Sequence, residues 1–407
     1  MSMTLVALLG VLCLFLLILL KMPISFAMFM VGFFGMLYMT SPIAAYNVIS
    51  SGIWEQLSGY SLSVIPLFIF MGELLFRSGI TEKIFAAAYA WIGHFRGSMA
   101  TTTILSSAGF AAVSGSNTAT AATVGTIALP EMKKFGYNRA LSAGSVAAGG
   151  TLGVIIPPSS VLIVIALQAE LAIRDLFLAS IVPGLILVVL FIATIGLLCR
   201  RRPDMGPAGV RSSWSVRWRS LKGIIEIGAL FTLVLGGLFA GWFTSTEAAA
   251  VGCIGAMLIT LIQGKLSWAV LSEAIANALK SSAMILMLVA GAVIFGRFLT
   301  ITRLPYMVGE WAAALPLPAM MVMACILLIY VIGGALMDAM GFLIISIPIF
   351  FPVALALGYD PIWFGVVVCI VTSMGAITPP VGVNAFIVKS LDAELRMGET
   401  FRGVGYF

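Results

Sequence analysis

Between Gly97 and Pro130 the chain carries no charged residue, yet it contains the polar, glycine-punctuated tract Ser114-Gly115-Ser116-Asn117-Thr118. The segment can enter a membrane, but as one helix it would be roughly 50 Å long at about 1.5 Å per residue, against a bilayer core of about 30 Å. Two complete spans would need about 40 residues, more than the segment holds. The economical reading is a re-entrant helical hairpin over about 97–130 with its polar tip at mid-membrane. Such a tip persists only where protein or trapped water satisfies its freed backbone groups.

A second break follows at Pro157-Pro158, inside the uncharged stretch from Ala140 to Gln168. Proline removes a backbone donor and clashes with the preceding turn, so a helix over about 140–167 should break near Val154 and expose carbonyl oxygens. The construction recurs downstream. Adding 222 to the positions of Pro130, Gly136, Tyr137, Gly153, Pro157 and Pro158 gives Pro352, Gly358, Tyr359, Gly375, Pro379 and Pro380, every identity preserved. The spacing predicts two repeats, the second with a hairpin over about 334–357 and a broken helix over about 361–389.

With 61% hydrophobic and 9% charged residues, the chain reads as an all-α polytopic membrane protein. Residues Thr4 to Leu20 form one unbroken apolar run, which excludes the ten-residue alternation of an outer-membrane barrel. That run lacks a basic start and a small-residue cleavage site, so it reads as a first span, not a signal peptide. The net charge of +6 is concentrated in residues 200–222, where Arg200, Arg201, Arg202, Arg211, Arg217, Arg219 and Lys222 face only Asp204. This marks a cytoplasmic linker, and Trp214 and Trp218 suit an interfacial helix in contact with lipid. Residues 1–199 and 223–407 are then the two repeats. Residues 266–280 read as interfacial and 281–300 and 317–333 as spans. By internal symmetry the second repeat lacks its last helix, so the chain reads as a truncated frame or fragment.

The five cysteines show no ligand spacing and read as inert, membrane-buried thiols; His94 reads as interfacial. No phosphate-binding loop is present, which excludes ATP hydrolysis by this chain. Nor does any His/Cys/Asp cluster or Ser–His pair support an enzyme.

Paired discontinuous helices point instead to a secondary-transporter site near the midplane. Unwound carbonyls, completed by Ser or Thr hydroxyls, can replace water around a small cation. The candidates are Ser114, Gly115, Gly153, Ile156 and Pro157 in the first half, and Gly334, Gly375, Thr378 and Val381 in the second. Ser116, Asn117, Pro158, Asp338 and Pro380 are candidates for the substrate path. An acid at membrane depth suggests function, and Asp338 could sense protons, line that path or cap the second hairpin. Glu247 reads as a helix-start residue and Glu73 as an interfacial one.

Several stretches resemble the large membrane subunit of tripartite ATP-independent periplasmic (TRAP) transporters. They are Pro66-Leu67-Phe68-Ile69-Phe70-Met71-Gly72-Glu73-Leu74, Val113-Ser114-Gly115-Ser116, Glu131-Met132, Gly136-Tyr137, Gly153 through Pro158, Thr244 through Gly252, and Thr378-Pro379-Pro380-Val381-Gly382-Val383-Asn384. The resemblance implies an inner-membrane secondary transporter, bacterial or archaeal, built from inverted-topology repeats and working as an elevator. It implies import of a small organic acid anion such as a dicarboxylate, sialic acid or sugar acid, delivered by a periplasmic substrate-binding protein. It further implies a separate small membrane subunit and Na+ as coupling ion at the positions named above, with no other metal or cofactor. The alternatives are a self-sufficient sodium–anion symporter and a passive anion channel.

Overall fold

The computed structural model describes residues 2–314 and 316–407, and among these every regular element is helical. The first half runs through α1 (Met3–Leu19), α2 (Ile24–Met39), α3 (Pro42–Leu57), α4 (Val64–Arg77), α5 (Ile80–Ile92), α6 (Ser98–Ser114), α7 (Asn117–Lys134), α8 (Arg139–Thr151), α9 (Ser160–Gln168) and α10 (Ile173–Arg201). The second half comprises α11 (Trp214–Ala240), α12 (Ser245–Ile262), α13 (Trp268–Ile301), α14 (Leu304–Ala314), α15 (Ala319–Leu336), α16 (Ala339–Ala356), α17 (Pro361–Gly375), α18 (Val383–Leu391) and α19 (Met397–Val404). Among the described residues seven helical runs are long and apolar enough to cross a membrane, beginning at Tyr60, Ile173, Trp214, Ser245, Trp268, Ala319 and Ala339.

Local chemistry sets many of the starts. Asn138 Oδ1 accepts the amides of Ala140 and Leu141 at the head of α8, and Ser159 Oγ that of Leu162 at the head of α9. Asp360 caps α17 with Pro361 in its first turn, where a missing N–H costs nothing. Thr244 and Glu247 form a capping box at α12, so Glu247 is a helix-start residue as the sequence suggested.

The 222-residue spacing extends to the helices themselves. Adding 222 to the first and last residues of α7 gives 339 and 356, the ends of α16; adding it to the start of α8 gives 361, the start of α17. Packing is reciprocal as well. Helix α2 lies on α13 while α12 lies on α4, and α7 meets α18 while α9 meets α16. Each half therefore supplies part of the other's core. That core includes Phe295 and Phe298 of α13 and a Tyr330, Phe342, Phe350 and Phe364 cluster around the second hairpin.

Several sequence boundaries shift. Pro130 does not close the first hairpin but lies within α7, which continues to Lys134. The second hairpin turns at Met337-Asp338, so its arms are α15 and α16 and it begins well before Gly334. Residues 266–300 do not divide into an interfacial piece and a span; α13 is continuous over 34 residues. The basic linker is shorter than 200–222, because α10 reaches Arg201 and α11 starts at Trp214. Trp214 and Trp218 pack edge-on against Trp91, and His94 Nδ1 lies 3.4 Å from Arg217 Nη2. Cys199, Cys253 and Cys369 are buried, whereas Cys13 and Cys325 lie on the outer surface.

Outside the spans, Tyr137 in the α7–α8 turn fastens the first hairpin to the linker. Its Oη accepts from the Met99 amide at 3.1 Å and donates to the Pro207 carbonyl at 2.8 Å. Burial pushes its phenol above the ordinary value.

Candidate functional site

The first hairpin tip is built from hydroxyls and one amide. Gly115 ends α6 in the left-handed region with φ of 58°, and Ser116 then caps α7 by accepting from the Ala119 amide. The Ser114 and Thr120 hydroxyls are 2.7 Å apart and those of Ser116 and Thr118 3.1 Å apart. Asn117, 5% exposed, turns its amide nitrogen toward the Gly150 and Thr151 carbonyls at 3.2 Å each; the opposite orientation would set its oxygen against both. Those carbonyls are freed where α8 ends, so the hairpin tip satisfies part of the break in the helix behind it.

Contact between tip and break is close enough to exclude a side chain. A Cβ at Gly153 would stand 2.2 Å from the Ser116 carbonyl oxygen and 2.6 Å from Thr120 Oγ1. Gly115 faces the Pro158 carbonyl and the Ser160 amide across the same contact.

The second break meets its hairpin one turn back from the tip, since Gly375 lies against Val331, Gly334 and Ala335 of α15 and not against Asp338, the repeat partner of Ser116. Cβ atoms added at Gly334 and Gly375 would lie 2.3 Å from the Thr372 carbonyl oxygen and 2.5 Å from that of Val331. The amides of Val381 and Gly382 donate to the Ala335 carbonyl at 3.3 and 3.2 Å. Thr378 Oγ1 donates to the Met374 carbonyl at 2.8 Å, leaving its lone pairs available. Both breaks carry a cis proline bond, Pro157-Pro158 and Pro379-Pro380. Asn384, in the first turn of α18 and fully buried, reaches across to the Ala147 carbonyl of α8 at 3.4 Å and so couples the two halves.

A cavity of about 370 Å³ lies where the tips converge. Ser114, Gly115, Ser116, Asn117 and Thr118 line one side, Asp338, Ala339 and Met340 another, and Ser160 and Val161 of the first broken helix a third. Helix N-termini of α7, α9 and α16 all present residues to it, and such ends favour anionic groups. Asp338 both caps α16, Oδ2 accepting from Met340 at 3.1 Å, and faces the cavity.

Of the residues picked from sequence, Ser114, Gly115, Ser116, Asn117 and Asp338 are brought together at this cavity. Gly153 lies directly behind the first tip, and Pro157 and Pro158 are buried at the break. Gly334, Gly375 and Val381 form the contact between the second hairpin and its break, Thr378 bonds within that break and Pro380 is exposed there, none of them lining the cavity, and Ile156 lies on the flank of the first break, against Gly184. Sequence reading missed Thr120, Ser160 and the α4–α13 wall with Glu73 and Ser281. Glu73 is a lining residue and not a merely interfacial one. Its i,i+4 pairing with Arg77, and the Glu273, Asn277, Ser281 spacing on α13, were signals that could have found that wall.

Comparison with known proteins agrees with this architecture. A profile of the DctM component of tripartite ATP-independent periplasmic transporters matches residues 11–407. The chain is 33% identical over 353 residues to the C4-dicarboxylate TRAP transporter large permease protein DctM of Pseudomonas aeruginosa, across 86% of this chain and 82% of that one. It is 31% identical over 346 residues to the isethionate TRAP transporter permease protein DctMQ of Oleidesulfovibrio alaskensis, across 83% of this chain and 53% of that one. The crystal structure of the Alcanivorax borkumensis YdaH transporter shares its fold, with a TM-score of 0.61 at 15% identity over 89% of this chain and 87% of that one. The paired hairpins, the helical breaks behind them and the match over residues 11–407 place the chain in the DctM family, the non-enzymatic large-permease component of TRAP transporters and a multi-pass protein of the inner membrane.

Proposed function

We propose that this chain imports a small organic acid anion, a carboxylate, driven by a sodium gradient and fed by a periplasmic binding protein, with a small membrane subunit alongside. The convergence of both hairpin tips on one cavity, with helix N-termini of α7, α9 and α16 around it, carries the reading. Carboxylate oxygens suit those ends, and the oxygen-only donors behind them suit a hard cation such as Na+. Ser114, the carbonyls near Gly115, Gly153, Ile156 and Pro157, and in the second half Gly334, Gly375, Thr378 and Val381, would hold the ions. Ser116, Asn117, Asp338, Pro158 and Pro380 would border the substrate. Alternating access then follows as an elevator-like shift of the hairpin-bearing helices against the rest. The relatives named for C4-dicarboxylate and isethionate support the anionic cargo. The part of the isethionate relative that this chain leaves unmatched supports a further membrane subunit.

Reconstitution of the chain with its small subunit and binding protein, under an inward sodium gradient and with a panel of C4-dicarboxylates, sialic acid and sugar acids, tests the reading. Uptake should need both sodium and the soluble protein. Uptake without the soluble protein would support a self-sufficient symporter, and passive, sodium-independent flux a channel. Independently of cargo, melting in sodium chloride should exceed that in potassium chloride at equal ionic strength. A Na+ concentration tenfold above Kd gives about 1.4 kcal/mol, and Ser114→Ala or Thr378→Ala should shrink it.

A further inference from the structure

The cavity has an electrostatic oddity for an anion carrier: its lining includes two carboxylates, Glu73 and Asp338, and among the described lining residues no Lys, Arg or His. One turn beyond Glu73 on α4 stands Arg77. Its Nε is 3.8 Å from Glu73 Oε2, and its Nη1 is ion-paired with Glu273 of α13. That Nε is buried without a hydrogen-bond partner.

The two carboxylates around Arg77 are not equivalent. Glu73 is three-quarters buried and also accepts from Asn277 Nδ2 at 3.4 Å, so it is held in place. The Glu273 side chain is 64% exposed, and an exposed partner leaves an ion pair at little cost. Along α13, Glu273, Asn277 and Ser281 follow at helical i+4 spacing, and Ser281 lines the cavity. This stripe connects the cavity to the face that carries the basic linker. There Lys265 Nζ donates to the Ser78 carbonyl at 2.6 Å, Gln263 to Glu226 at 2.7 Å, and Trp91 packs on Trp214.

We propose that Arg77 is an anion subsite on the α4–α13 wall, where a carboxylate or sulfonate passing between the cavity and the linker face takes the place of Glu273. The proposal deepens the transport reading above and rests on it for its biological role. The fork of a guanidinium matches a carboxylate in two hydrogen bonds, so one carboxylate can replace another with little change in energy. Glu273 guards the site when it is vacated, and its competition keeps the passing anion from being trapped. Glu73 stays in place and sets the net charge the anion meets.

The test is the accessibility of Ser281→Cys, in a background with the five native cysteines replaced, to two methanethiosulfonates of similar size. One carries a sulfonate, the other a trimethylammonium. The anionic-to-cationic rate ratio should rise roughly fivefold with Glu273→Gln and fall roughly tenfold with Arg77→Gln, as expected for one unit charge at close range under partial screening. Arg77→Lys should keep most of the ratio. The double Arg77→Gln/Glu273→Gln variant removes one charge of each sign and leaves no unpaired partner behind, so its ratio should return to within about threefold of the parent, which shows that the fall in Arg77→Gln is not a folding defect. A ratio that stays within twofold of the parent in Arg77→Gln, or one that in the double variant falls as far as in Arg77→Gln, overturns the subsite. The sodium-driven uptake assay separates the two ideas: no uptake by the parent with shifted ratios removes the transport reading and leaves the subsite, whereas uptake with unmoved ratios does the reverse.

Discussion

The two hairpin tips share a backbone and differ in side chains. Helix α7 begins at Asn117 and α16 at Ala339, one repeat apart, and each hairpin lies against a break made by a Pro-Pro pair. Around the first, Ser114, Ser116, Asn117, Thr118 and Thr120 form a web of hydroxyls and one amide. Around the second, Met337, Asp338 and Met340 leave a single carboxylate capping the helix. What repeats is the exposure of backbone ends; what has diverged is the chemistry set in front of them. Under the transport role proposed above, the shared part would hold the ion and the divergent part would meet the cargo.

The largest effect should come from filling the close contacts at the two repeat-paired glycines. Gly153→Ala and Gly375→Ala each place a Cβ within about 2.5 Å of a backbone oxygen. Overpacking of that kind costs about 1–3 kcal/mol or more. Melting of the purified protein should fall steeply for both; a tolerated Gly375→Ala would mean that α17 is not held against α15 as closely as the first break is held against its tip.

Next comes Asn117→Ala, which strips the donor from the Gly150 and Thr151 carbonyls. A buried polar group left unpaired costs about 1–3 kcal/mol. The repeat position is already Ala339, so the comparison sharpens if Ala339→Ser changes melting by far less.

Asp338 separates cap from charge. Asp338→Ala should lose about 1 kcal/mol, while Asp338→Asn, another good cap, should melt like the parent. If both variants transport normally, the second tip is only a turn and its carboxylate has no part in the cargo path.

The smallest effect contrasts the tyrosines at the hairpin feet. Tyr137→Phe gives up the hydrogen bonds to Met99 and Pro207 and should cost about 1 kcal/mol. Tyr359, its repeat partner, stacks on Trp363 at 5.1 Å, and Tyr359→Phe keeps that stack. Because burial raises the Tyr137 phenol, its contribution is complete below about pH 10 and is lost as pH climbs through the raised value. The alkaline loss of stability should shrink in Tyr137→Phe and persist in Tyr359→Phe.

The breaks were the most legible part of the fold, because Pro-Pro and Gly signals are local and the 222-residue spacing repeats them. The first hairpin was legible for the same reason: its tip is polar. The first arm of the second hairpin was not, since Ala319–Leu336 is as apolar as an ordinary span and Met337-Asp338 is too short a signal. Lys280, in the middle of α13, invited a division that the helix does not make. Half of the cavity wall stayed hidden because Glu73 and Ser281 meet the tips only in three dimensions. A lone acid near Arg77 in sequence reads as interfacial until α13 is laid beside it.

Helix α13 has a mechanical meaning that the repeat conceals. Its 34 residues make a beam roughly 50 Å long, whereas the same register in the first half is jointed between α3 and α4, with a 3₁₀ turn at Tyr60–Ser63. A beam transmits force from end to end, and a joint lets one side swing while the other stays. The two halves are therefore unequal in stiffness at this register even where they match as sequence.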